Sequence, residues 1–76
     1  MIIIYDYQKI QFRKRVAKNL KRIRKKKHIT QAELARKAYV DRSFISTIET
    51  GKSSISLDTL YKLKKILKVD FKQFFV

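Results

Sequence analysis

Thr30, Asp41, Ser56 and Asp70 each stand just ahead of a run with helical apolar spacing, and these four polar stops cut the chain into short helices. Thr30 with Glu33, and Asp70 with Gln73, have the three-residue offset of a capping box, in which each side chain bonds the other's otherwise unpaired backbone N–H. Upstream, Phe12, Val16, Leu20 and Ile23 recur at steps of four, four and three, one stripe of a helix expected from Asp6 or Tyr7 to about Lys27. Leu34 and Ala38 mark the inward side of a second helix, and Ile45 and Ile48 that of a third. Leu57, Leu60, Leu63, Ile66 and Leu67 give a fourth helix a broad apolar face that ends near Lys68. Phe71 to Val76 then has room for a final helical turn or two. The expectation is an all-α fold: one compact five-helix domain over residues 1–76, with an N-terminal extension over 1–6. Ile2 to Tyr5 has strand-like composition, but a lone strand needs a partner that this chain does not supply.

The chain has no Pro and a single Gly, Gly51, placed after Glu49 and Thr50 where a left-handed residue closes a helix. His28 and Tyr39 follow the first and second helices, and a left-handed backbone at either would cost a residue with a side chain about 1 kcal/mol.

Twenty Lys and Arg against six Asp and Glu leave a formal charge of +14, and ten of the fifteen positions from Arg13 to Lys27 are basic with none acidic. So strong an excess points to a polyanionic partner, nucleic acid or an acidic membrane surface. Within the basic run, only the ends are expected to reach phosphates directly, the remainder raising the local potential. A chain of 76 residues has little room for an active-site cavity. The absence of Cys excludes thiolate chemistry and Cys-based zinc sites, and a single His makes no metal site by itself. No cofactor, metal or small-molecule ligand is expected, nor an enzyme, because no suitably spaced pair of catalytic groups stands outside Glu33 and Glu49. No stretch approaches a membrane span, and the apolar start at Ile2 to Ile4 is too short for a signal-peptide core, so a cytoplasmic setting is expected.

The second and third helices, joined by Tyr39, Val40 and Asp41, have the lengths and tight connection of a helix-turn-helix over about 30–50. Thr30, Gln31, Ala32, Glu33, Leu34 and Ala35, then Val40 to Glu49, and on through Gly51, Ser56, Leu57, Asp58, Thr59 and Leu60, resemble the Cro/repressor-like (Xre-type) helix-turn-helix family. The likeness extends from about Val16 to Phe74. Within the family, DRSFISTIE is similar to the controller proteins of restriction-modification systems. The resemblance implies a five-helix repressor-like DNA-binding domain that acts as a transcriptional regulator.

If Ile45 and Ile48 face the core, Arg42, Ser43, Ser46, Thr47 and Thr50 fall on the outer side of the third helix. Arg42, in the first turn, carries a planar fork suited to guanine O6 and N7, a contact worth about 1 to 3 kcal/mol of discrimination. Ser43, Ser46 and Thr47 are shorter candidate base readers. Phe44 sits at the edge of the core, where packing competes with contact to a sugar or thymine methyl. The resemblance assigns Gln31, at the start of the second helix, to a phosphate. Lys52, Thr50 and Arg36 are further phosphate candidates. The resemblance also pairs Arg24 with Glu49, joining the first helix to the end of the third.

One helix-turn-helix reads only a few base pairs, so a homodimer on a short palindromic operator is the expected arrangement. Phe71, Phe74, Phe75 and Val76 are the leading candidates for the dimer seam over about 70–76, with Ile2 to Tyr5 second. The alternative reading is an antitoxin-type protein-interaction module that also binds DNA.

Overall fold

The computed structural model describes residues 7–76, which form helices only. α1 spans Tyr7–Lys26, α2 Gln31–Ala38, α3 Arg42–Glu49 and α4 Leu57–Leu67, and a short 3-10 turn follows at Phe71–Phe74. The expected fifth helix is that single 3-10 turn. The strand-like segment at Ile2 to Tyr5 lies outside the described residues.

α2 packs on α3 and on α4, while α1 crosses α3 on one side and the Phe71–Phe74 turn on the other. Leu20, Leu34, Ile45, Leu63, Leu67 and Phe74 are the largest side chains wholly removed from water, and Val16, Ile23, Ile48 and Leu60 complete the core. Each such side chain contributes about 1.5 to 3 kcal/mol of transfer free energy. Three apolar positions depart from the expected pattern. Leu57 sits in the first turn of α4 and is 75% exposed. Phe12 is 51% exposed, because the core ends at Val16 and its ring stacks instead on Phe75, with centroids 5.8 Å apart. Phe74 is fully buried in the core of its own chain.

Two of the four polar stops work through their side chains. Thr30 Oγ1 accepts from Glu33 N at 3.0 Å, and Glu33 Oε1 accepts from Thr30 N at 3.0 Å, the complete reciprocal box. Hydrogen bonding to the Thr30 backbone N–H first, and to the Thr30 side chain second, lowers the Glu33 carboxyl from its ordinary value. Ser56 Oγ accepts from Thr59 N at 3.1 Å. Asp41 and Asp70 occupy N-cap positions with extended backbones but make no side-chain cap bond. In both, the backbone carbonyl has taken the donor a carboxylate would use: Phe44 N donates to Asp41 O, and Gln73 N to Asp70 O, each at 3.0 Å. The capping box expected of Asp70 and Gln73 is therefore replaced by the 3-10 bond of the turn itself.

His28, Tyr39 and Gly51 all adopt the left-handed conformation, with φ of 58°, 57° and 75°. Lys68 joins them at φ 56°, closing α4 so that the chain can turn back toward α1. Gly51 is held by a second constraint that its spacing alone does not reveal. A Cβ there would lie 3.0 Å from Lys14 Cγ and 3.1 Å from Lys14 Cα, so α1 would have to give by a few tenths of an ångström to admit a side chain.

Tyr39 is 93% exposed, so its ring repays little of the left-handed cost. Tyr39→Gly is expected to raise the thermal midpoint by about 2 to 5 °C, measured by circular dichroism; a fall of several degrees would show that the ring packs usefully in solution.

Candidate nucleic-acid interface

α3 meets the core through Ile45 and Ile48 and turns the rest of its circumference outward. The outward arc carries Arg42, Ser43 and Thr47, all exposed, with Ser46 half-buried at its edge and Thr50 exposed just past the last turn. Phe44 is 40% exposed, a ring that lies at the rim rather than in the core. The arc is short, polar and uncovered by the described chain.

Two of its hydroxyls are already committed. Thr47 Oγ1 donates to Ser43 O at 2.8 Å, and Thr50 Oγ1 donates to Thr47 O at 2.7 Å. A hydroxyl has one hydrogen, so toward DNA both threonines face outward as acceptors with a methyl group beside them. Such a group suits the amino edges of adenine or cytosine and the methyl of thymine, not the acceptor pair of guanine. Arg42 has no such internal bond and supplies the donors that the threonines lack. Arg36 and Lys52 are likewise exposed, at the end of α2 and just after Gly51.

A buried polar cluster sets the pose of α3. Arg24 Nε donates to Glu49 Oε2 at 2.6 Å and Nη2 to Oε1 at 3.0 Å, while Nη1 donates to Ile29 O at 2.7 Å. Only 8% of the Arg24 side chain and 2% of that of Glu49 reach solvent. Glu49 Oε1 also accepts from Gln31 Nε2 at 3.0 Å. Three elements thus meet at one carboxylate, α1, the start of α2 and the end of α3, and Arg24 ties in the α1–α2 turn through Ile29 O. The Gln31 amide, assigned from sequence to a phosphate, is turned inward to Glu49 and keeps one amide hydrogen for any outside contact.

Two contacts escaped the sequence reading. Asn19, buried on α1, donates through Nδ2 to Phe74 O at 2.9 Å and Val76 O at 3.0 Å, tying the C-terminal segment down. Its signal was an amide set among Val16, Ala17, Leu20 and Ile23 on the buried side of α1. Lys62 Nζ donates to Ala38 O at 3.1 Å, capping the end of α2 from α4. Among the four seam candidates, Phe74 is withdrawn by its burial, Phe71 is half-buried, and Phe75 and Val76 are exposed by 38% and 65%. Phe75 lies between Phe71 and Phe12, nearly parallel to both.

Glu49→Gln leaves the buried guanidinium without its counter-charge and is expected to cost about 3 kcal/mol, or roughly 12 to 24 °C in the thermal midpoint. Gln31→Ala removes one bond of the cluster and should cost less than half as much by the same melt. Equal effects would mean that the ion pair does not carry the joint.

Comparison with known proteins agrees with this geometry. The sequence profile of a family described as helix-turn-helix, HTH_3, matches residues 20–74. An HTH_3 family transcriptional regulator from Vibrio cholerae superimposes with a TM-score of 0.80 at 30% identity, over 87% of this chain and 37% of that one. The chain thus spans little more than a third of that regulator. The restriction-modification controller protein C.AhdI from Aeromonas hydrophila superimposes with a TM-score of 0.79 at 26% identity, over 91% of this chain and 100% of that one. A hypothetical transcription factor, NHTF, from Neisseria gives 0.81 at 29% identity, over 100% of this chain and 85% of that one. Among curated proteins none matches the chain in sequence.

Proposed function

The chain belongs to the HTH_3 helix-turn-helix family of DNA-binding regulators, and from that premise we propose that it acts as a homodimer on a short palindromic operator. The observation that carries this reading is the exposed polar arc of α3, held in place from behind by the Arg24–Glu49 cluster. Arg42 is assigned to guanine O6 and N7, Thr47 to an amino edge or thymine methyl, and Ser43 and Ser46 to looser contacts at the rim. Lys52, Arg36 and the remaining amide hydrogen of Gln31 are assigned to phosphates, whereas Thr50, also expected there, reaches one only by giving up its hydroxyl bond to Thr47 O. The charge of +14 supplies a steep salt dependence and fast encounter.

The dimer seam is proposed at Phe75 and Val76, with Phe12 and the edge of Phe71 beside them. These rings stack on one another yet leave substantial apolar area facing outward. The full-length likeness to C.AhdI supports the narrower reading, a controller-type regulator whose output depends on its own concentration and on operator layout.

Selection of bound duplexes from a random pool is expected to return a palindrome with guanine at one position of each half-site. Arg42→Ala should weaken binding to it by about 1 to 3 kcal/mol and relax that guanine. Enrichment of no sequence at all, or undiminished preference for guanine in the variant, would contradict the assignment. Phe12→Ser with Phe75→Ser is expected to give a folded monomer with weakened operator binding; a variant that still sediments as a dimer would move the seam elsewhere.

A further inference from the structure

Every exposed position of α1 from Lys14 to Lys26 is Lys or Arg, and the helix contains no acidic residue. At about 100° and 1.5 Å per residue, these side chains cover roughly 140° of the helix circumference along about 18 Å. Lys14, Lys18, Arg22 and Lys26 form an unbroken i, i+4 row, with Lys21 and Lys25 beside it. Nothing in the local structure requires this. Like charges at i, i+4 repel, the helix dipole favours cations only in the last turn, and α1 packs through its other side, at Val16, Ala17, Leu20 and Ile23. Among the described residues, no carboxylate lies within ion-pairing distance of Lys18, Lys21 or Lys25. Glu33 and Glu49 are bonded elsewhere, at Thr30 and at Arg24 with Gln31.

The row also has a defined place beside the recognition helix. Its start lies against Gly51, next to Lys52, and near its other end Arg24 reaches Glu49 at the end of α3. The cationic face therefore continues outward from the flank of the helix-turn-helix. Against the sequence expectation that only the ends of the basic run reach phosphates, we infer that the middle of α1 is a second surface for the DNA backbone. It takes phosphates of the same duplex beyond the groove that α3 enters, and the DNA bends toward α1 to reach it. Continuity with Lys52 favours one duplex over two. The bend is offset by counterions released at the row, since duplex DNA presents one charge per about 1.7 Å of its axis.

This inference rests on the regulator reading, and its test separates the two. The variant carries Lys18→Gln, Lys21→Gln and Lys25→Gln. It is titrated beside the wild type, over a range of salt, against the selected operator trimmed to its half-sites and against the same operator extended by about one helical turn, roughly 10 base pairs, at each end. On the extended duplex the wild type is expected to bind more tightly and with a steeper slope of log K against log salt. There the variant should lose about 2 to 3 from that slope, at about 0.9 per phosphate contact, with little change on the trimmed duplex. An equal loss on both lengths, or none on either, would overturn the inference. So would recovery of two differently labelled duplexes on one protein, which would make the row a bridge between DNA molecules. The variant should melt at or above the wild-type temperature; if it does not fold, Lys18→Gln alone is expected to lose about 0.9 from the slope. If the wild type selects no operator, the regulator reading fails; if it selects one and the extensions change nothing, only the second surface fails.

Discussion

The Arg24–Glu49 pair is the joint on which the rest of the structure depends. A buried ion pair is a poor source of net stability, because desolvating two charges offsets most of their attraction, but it is highly selective about geometry. Here each oxygen of Glu49 is directed: one accepts Arg24 Nε, and the other accepts both Arg24 Nη2 and Gln31 Nε2. A rotation of α3 about its axis would strand the carboxylate in the interior, whereas Ile45 and Ile48 alone tolerate small slips among apolar neighbours. The cluster converts loose hydrophobic packing into one defined angle for the side chains on the opposite side of α3.

That opposite side divides its chemistry. The threonine hydroxyls satisfy the carbonyls at Ser43 and Thr47 and so face outward without a hydrogen to give. Arg42, free at the first turn, is left as the donor. In the proposed role, a surface of this kind would distinguish bases by where it accepts as well as by where it donates, and substitutions among Ser, Thr and Ala on α3 would change polarity more than shape.

Most of the fold was legible because it is written in local rules. The Thr30–Glu33 box, the apolar stripes of Val16–Leu20–Ile23 and Leu60–Leu63–Leu67, and the left-handed stop at Gly51 follow from spacing and residue type, whereas those at His28 and Tyr39 were expected only from the family resemblance. What escaped depends on distant neighbours. Phe12 continues the stripe of α1, but the stripe outruns the core. Phe74 looked like exposed surface because nothing in its own segment shows that α1 and α4 leave room for one ring. Asp41 and Asp70 have the right residue at the right place, yet the 3-10 bonds of their own turns were stronger competitors for the same N–H groups. At the interface, the outward arc was readable from the periodicity of Ile45 and Ile48. The inward turn of Gln31 was not, since it depends on a carboxylate eighteen residues away.

Asn19 and Arg24 lie on the same helix five positions apart, about 7.5 Å along its axis. One grips the C-terminal segment and the other grips α3. The lever arm between the apolar tail and the reading surface is therefore a stretch of continuous helix rather than the α4 route through the loops. One residue inserted between Asn19 and Arg24 would swing the two grips about 100° out of phase. The α1 register is the dimension that evolution, or a designer, would have to alter to retune the angle between the C-terminal segment and α3.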